Sequence, residues 1–173
     1  MERPDLKRVP EHFHVYINQV AGTDLLKEMK AQTKSFIEFL DAIPGEKHNY
    51  RYAPGKWDLK ELLLHINDGE RIFAYRALCF ARKDKTLLPS FDENLYAENS
   101  KADNRDWNSL VEEFKSTRRS NEIMFETFDA EQLESEGNAS GKTNYVLAIG
   151  FIMVGHINHH IRIIKEKYLS EKL

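Results

Sequence analysis

Apolar residues recur at helical spacing along four long stretches of this chain, and polar connections separate the stretches. Residues three or four positions apart share one face of a helix, so each stretch predicts an amphipathic helix. No alternating strand pattern competes with these helices. Their predicted bounds are Asn18 to Asp41, Asp58 to Arg82, Trp107 to Phe128, and Thr143 or Asn144 to Tyr168. Four such helices predict an all-α fold, an antiparallel four-helix bundle.

The connections do not divide the chain into separate units. We predict a single domain over residues 1–173, in which residues 1–17 form an N-terminal arm or short packing segment. Residues 83–103 form a long polar connection, and a connection of this length is often functional and can cover a site. Its possible anchors on the bundle are Phe91, Leu95 and Tyr96.

Charge and composition exclude several classes of partner. Lys and Arg total 25 against 28 Asp and Glu, which gives a net charge of −3 without a block of like charge. Nucleic acids and anionic membranes bind concentrated basic surfaces, so we expect neither as a partner. The chain shows no signal-peptide core and no uncharged run long enough to span a membrane. With a single cysteine, Cys79, these features predict a cytoplasmic protein.

Candidate chemistry is concentrated near the C-terminus, in the segment Gly155-His156-Ile157-Asn158-His159-His160. His156 and His160 are four positions apart and share one helix face, which is the spacing that lets two imidazoles bind one metal ion. Imidazoles at core positions are costly unless their nitrogens are satisfied, either by a metal or by hydrogen bonds within the core. His159 lies roughly 80° away from this face, and its role stays open.

A third ligand is expected from the second helix. His65 lies about two turns after the start of this helix, where Asp58 and Glu61 predict a capping box. If the second and fourth helices run antiparallel, His65 meets the histidine pair. Three imidazoles leave a coordination position open, as in catalytic sites, and suit Zn, Ni, Cu or Fe. The alternative for His65 is a partly exposed helix histidine.

Other polar residues near His65 are weaker candidates. Arg71 and Arg76 can bind an anionic substrate group, although surface salt bridges are the alternative interpretation. Asp68 and Glu61 can orient His65 through hydrogen bonds, although carboxylates in the first turns of a helix are usually solvated.

Three segments together resemble the DinB-like superfamily, and in particular its YfiT-like branch. They are Ala53-Pro54-Gly55-Lys56-Trp57, Leu64 to Arg76, and Gly155 to His160. The resemblance implies a four-helix bundle, a homodimer, and a divalent metal ion, with Zn or Ni expected, held by His65, His156 and His160. Ile157 stands where many relatives carry an acidic residue, so no role of that carboxylate is carried over.

The resemblance implies a small-molecule substrate and leaves three functions open. Some relatives are thiol S-transferases that use a low-molecular-weight thiol such as bacillithiol, mycothiol or glutathione, and we expect this activity first. In it, the metal lowers the thiol pKa and the thiolate attacks an electrophile. The second function is hydrolysis by a metal-bound water. The third is a non-catalytic metal- or ligand-binding stress protein.

Overall fold

The computed structural model describes residues 3–170, so the ends of the predicted arm and domain, residues 1–2 and 171–173, lie outside it. Four long helices form a bundle, which confirms the predicted fold class. They are α2 (Leu25–Asp41), α3 (Leu59–Ala81), α5 (Trp107–Glu126) and α7 (Val146–Ile163), and α7 continues into a π-helical turn, Ile164–Leu169. Shorter helices are α1 (His14–Ile17), α4 (Glu93–Asn99) and α6 (Ala130–Glu134). In the bundle α3 packs between α5 and α7, and α2 packs on α5 and α7.

The start of α3 is fixed by the predicted capping box. The side chain of Asp58 accepts a hydrogen bond from the Glu61 amide at 2.9 Å, and the Glu61 carboxylate accepts one from the Asp58 amide at 2.9 Å. These two bonds satisfy amide groups that have no partner inside the helix. Arg51 donates to Asp58 at 2.9 Å, so this helix end is also charge-neutralised.

The first helix begins later than predicted. It starts at Leu25 rather than near Asn18, because Asp24 adopts an extended conformation and its side chain accepts a hydrogen bond from the amide of Lys27. Residues 18–24 form turns that lead from α1 into α2. Since α1 is part of the segment predicted as an arm, that segment packs on the bundle, where it contacts α7.

The prediction of no strands was wrong for one short hairpin. Strand β1 (Glu136–Ala139) pairs antiparallel with β2 (Lys142–Tyr145), and Ser140 and Gly141 form the turn with φ of 57° and 72°. Two residues with positive φ match a tight hairpin turn. Thr143 and Asn144 therefore lie in a strand, and the cap of α7 is Tyr145, which makes no side-chain capping bond.

The connection 83–103 is anchored differently from the prediction. Leu88, Ala97 and Ala102 are its buried apolar residues, whereas Leu95 and Tyr96 are exposed and Phe91 is half-buried. Leu88 also bridges to Ala139 of the hairpin. The connection is therefore held by the hairpin as well as by the helices, and α4 lies within it.

Two apolar clusters fill the bundle. One contains the C-terminal half of α3 and the N-terminal half of α7, and the other contains the opposite halves of these helices. Buried polar residues lie between the clusters. They are Gln32, Asn67, Glu70, Arg118, Asn121, Glu122, His156 and His160.

The segment Val146–Leu169 is the only helical segment of residues 3–170 that is long and apolar enough to cross a membrane by length and composition. Within the fold, 72% of its most apolar window is buried. Core packing in the bundle therefore accounts for its apolar character.

The close approach of α1 to α7 depends on Gly155. A Cβ at this position would overlap the backbone carbonyl of Tyr16. We expect Gly155→Ala to lower the free energy of unfolding by about 1–3 kcal/mol, because α1 must move away. Urea denaturation followed by circular dichroism measures this change.

The matched control is Gly45→Ala, since a Cβ at Gly45 would meet nothing within 4 Å. Its free energy of unfolding should stay close to that of the wild type. Equal effects of the two substitutions would contradict the assigned contact between Gly155 and Tyr16.

Candidate metal centre

Three imidazoles converge where α3 and α7 cross the polar layer of the bundle. The Nε2 atom of His156 lies 3.1 Å from Nε2 of His65 and 3.0 Å from Nε2 of His160. One ring nitrogen from each residue lies within 4.8 Å of the other two. Because α3 and α7 run antiparallel, the beginning of α3 lies beside the later turns of α7, as the sequence predicts.

Aromatic side chains pack against the rings of His65 and His156. The ring centroid of Trp57 lies 4.8 Å from that of His65, and Tyr16 and Phe73 meet His156 edge-on at 5.5 and 5.9 Å. Gly69 lies beside His156, and a Cβ at Gly69 would come within 3.2 Å of its Cε1 atom. The packing therefore restricts the orientation of His156 from several sides.

Burial keeps the three imidazoles neutral near pH 7. It lowers the pKa of His65 to about 4, with a smaller contribution from His159. Burial lowers the pKa of His156 and His160 well below the usual value, and repulsion among the imidazoles adds to this effect. A neutral imidazole has a lone pair on one ring nitrogen, and this is the form that binds a metal ion.

The geometry fits a shared metal ion. Ligand nitrogens on a tetrahedral Zn ion, with bonds of about 2.0–2.1 Å, are about 3.3 Å apart. The distances from Nε2 of His156 to Nε2 of His65 and of His160, 3.1 and 3.0 Å, are close to this value. Among residues 3–170, Nδ1 of His160 is a buried atom without a hydrogen-bond partner. Within this part of the chain, hydrogen bonds alone therefore leave the His160 imidazole only partly satisfied.

Other residues considered near the triad have different partners. Asp68 lies 3.8 Å from Arg71, and Glu61 is engaged in the capping box, so neither is seen to orient His65. Nδ1 of His159 lies 3.4 Å from the Arg162 guanidinium, and His159 is outside the cluster of three nitrogens.

A cavity of about 430 Å³ opens over the triad. Arg76 lines it together with all three histidines, whereas Arg71 lies outside it and pairs with Glu113 at 2.7 Å. The remaining wall residues come from the N-terminal segment, the loop before α3, α3 itself, the connection containing α4, and the hairpin. They are His12, Phe13, Tyr16, Trp57, Gly69, Phe73, Phe91, Glu93 and Ser140.

Several wall residues were not found by sequence reasoning. Tyr16 and Glu93 come from segments without a strong pattern, and only the tertiary fold brings them to the cavity. The pKa of Tyr16 is raised by burial and, to a smaller extent, by the charge of Glu93.

Comparison with known proteins agrees with this architecture. The model of the DinB superfamily matches residues 28–164. The chain belongs to the DinB superfamily. A search of curated proteins finds no match for this DinB-superfamily chain.

Among solved structures, the chain is similar to YfiT from Bacillus subtilis, with a TM-score of 0.67 and 16% identity over 95% of this chain and 91% of that one. That protein is described as a "probable metal-dependent hydrolase with an unusual four-helix bundle topology". At this identity the similarity establishes a shared fold only. The reaction of this DinB-superfamily protein must be inferred from the residues of its own cavity.

The low pKa of His65 predicts how the stability of the metal-free protein depends on pH. Between pH 6.5 and about 4, the unfolded chain binds more protons at His65 than the folded chain does, so the free energy of unfolding falls as the pH falls. His65 alone should contribute a loss of about 2 kcal/mol between pH 7 and pH 5. Urea denaturation in the presence of EDTA measures it.

The comparison variant is His65→Gln, which cannot gain this proton. Its free energy of unfolding should decrease less between pH 7 and pH 5 than that of the wild type. Parallel pH profiles for the two proteins would contradict the assigned burial of His65.

Proposed function

We propose that this protein binds a divalent metal ion, Zn or Ni, through His65, His156 and His160. We further propose that it is a transferase that uses a low-molecular-weight thiol against an electrophile. The observation that carries the proposal is the convergence of three neutral imidazoles at the floor of a cavity. The description of YfiT as metal-dependent supports the same kind of centre.

A metal ion bound there would supply Lewis-acid chemistry, lowering the pKa of a thiol so that it reacts as the thiolate. The chain supplies the three nitrogens and a wall that includes five aromatic residues, Phe13, Tyr16, Trp57, Phe73 and Phe91. In the transfer, a bond forms between sulfur and the electrophilic carbon, and the leaving group departs with its bonding electrons. The thiol proton passes to solvent through the mouth of the cavity.

Hydrolysis is the second candidate, and one observation favours it specifically. Glu93 is a carboxylate on the cavity wall, and a carboxylate can accept a proton from an attacking water. Glu93 is exposed and belongs to the short helix α4, and among residues 3–170 it has no hydrogen bond to a triad histidine. We therefore rank the thiol reaction first.

The metal content of the purified protein tests the centre itself. Without a His tag, the wild type should contain about one metal equivalent per chain by elemental analysis, and His65→Ala and His160→Ala should lose it. His159→Ala is the matched control, because His159 lies beside the triad but outside the cluster, and it should retain the metal.

Two results would count against the metal centre. One is a wild type that binds no Zn or Ni after loading, and the other is full metal content in both triad variants. In either case the protein would be better described as a ligand-binding stress protein without this centre.

Dependence on thiol separates the transferase from the hydrolase. With 1-chloro-2,4-dinitrobenzene and a panel of thiols, the Zn or Ni protein should form thioether above the uncatalysed rate, and His65→Ala should not. Turnover of ester substrates that is independent of thiol, and reduced by Glu93→Gln, would favour hydrolysis. A metal-loaded protein that is inactive in both assays would leave the non-catalytic alternative.

A further inference from the structure

Arg76 is a buried charge without a carboxylate partner in the described part of the chain. Its side chain is buried, and its Nη2 atom donates to the Pro89 carbonyl at 3.0 Å and to Ser140 Oγ at 3.1 Å, both neutral acceptors. Burial lowers the pKa of Arg76, and no carboxylate opposes that shift. Buried cations are normally paired with anions, so the guanidinium lacks a counter-ion.

Arg76 faces the same cavity as the triad but lies at its other end. His65, Gly69, Phe73 and Arg76 all line the cavity, and they follow one another along one face of α3. His65 and Arg76 are eleven positions apart, which corresponds to roughly 16 Å along the helix axis. The cavity therefore runs along α3 from the imidazoles to the guanidinium.

The middle of the cavity is apolar. Phe13 and Phe73 line it, and their ring centroids are 6.1 Å apart. The Phe91 ring lies nearer the far end, 6.0 Å from the Arg76 guanidinium carbon. Gly69 leaves room beside His156, because it has no side chain at that point of the floor. An alkyl or other apolar segment fits between the two polar ends better than a polar one does.

A second basic residue lines an adjoining cavity. That cavity, of about 140 Å³, shares His12, Phe13, Phe73, Arg76 and Ser140 with the first cavity, and Lys142 also lines it. The one carboxylate on the wall of the first cavity is Glu93, whose charge acts on Tyr16 and has no resolved effect on Arg76. The end at Arg76 therefore attracts anions.

From this arrangement we propose that the cavity binds an elongated substrate with a reacting group at the triad, an apolar middle, and a carboxylate at the far end held by Arg76. The proposal rests on the metal centre proposed above for the position of the reacting group. A planar guanidinium pairs with a carboxylate through two parallel hydrogen bonds, which gives direction as well as affinity.

Two thiols that differ only at the far end test this proposal. The protein is loaded with Co(II), and 6-mercaptohexanoate and 6-mercapto-1-hexanol are titrated while the sulfur-to-cobalt charge-transfer absorption is followed. Both thiols can bind the metal, but only the acid can pair with Arg76. We expect the acid to bind about 10-fold or more tightly than the alcohol.

Arg76→Gln should remove this preference while leaving the Co(II) content and the affinity for the alcohol unchanged. Arg71→Gln is the matched control, because it removes the same charge from the same helix outside the cavity, and it should keep the preference. Arg76→Lys keeps the charge without the planar fork, and it should keep part of the preference. Since Arg76 is buried, circular dichroism and Co(II) content establish that its variants are folded.

Equal affinity of the wild type for the two thiols would overturn the role of Arg76 while leaving the metal centre intact. An equal loss of preference in Arg71→Gln would also overturn it, since the effect would then be one of overall charge.

If Co(II) does not bind, the proposed metal centre is wrong, and the role of Arg76 is tested separately. The test is the binding of hexanoate, followed by ligand-observed NMR. Binding to the wild type that is lost in Arg76→Gln supports the carboxylate site, and no binding to the wild type overturns it.

Discussion

A buried ion pair in the middle of the bundle fixes the axial register of the long helices relative to one another. Glu70 of α3 and Arg118 of α5 are both almost fully buried, and their side chains lie 2.9 Å apart. Asn121 also donates to Glu70 at 2.9 Å, and Gln32 of α2 donates to the Val154 carbonyl of α7 at 2.6 Å. Charges removed from water must keep their partners, so sliding one helix past another would expose an unpaired charge in the core.

The histidine triad belongs to the same polar layer, and this position explains its chemistry. His156 and His160 occupy buried positions of α7, at the boundary between the two apolar clusters. The Arg118 charge lowers the pKa of His156 further, although burial is the larger cause. The ion pair that holds the helices in register thus also helps to keep this imidazole neutral. The same layer of buried polar groups therefore sets the register of the helices and contains the histidine triad. If Leu and Ile replaced these groups, the core would contain no metal ligand.

The sequence predicted those parts of the protein that follow from periodicity along a single helix. The spacing of His156 and His160 and the capping box at Asp58 are local patterns, and the antiparallel order then places His65 beside the pair. The angular position of each residue around the helix axis also distinguishes the two arginines. At about 100° per residue, Arg76 lies within about 20° of His65 around the axis of α3, whereas Arg71 lies about 120° away from it. The late start of α7 was missed because the hairpin strands are short and mostly polar. The residues that α1 and α4 contribute to the cavity wall could not be predicted, because their positions depend on tertiary packing and not on a local sequence pattern.

The choice between a thiol and water as nucleophile depends on which groups near the triad can move a proton. A metal ion lowers the pKa of a bound water as well as that of a bound thiol, and a base close to the metal would help the water further. A thiol starts from a lower pKa and depends less on such a base. Glu93 lines the cavity without a hydrogen bond to a triad histidine in residues 3–170, whereas Trp57 packs beside His65 and Phe73 beside His156. An aromatic floor disfavours bound water and favours a polarisable sulfur atom with an apolar chain. The aromatic residues beside the triad therefore suit a thiol with an apolar chain.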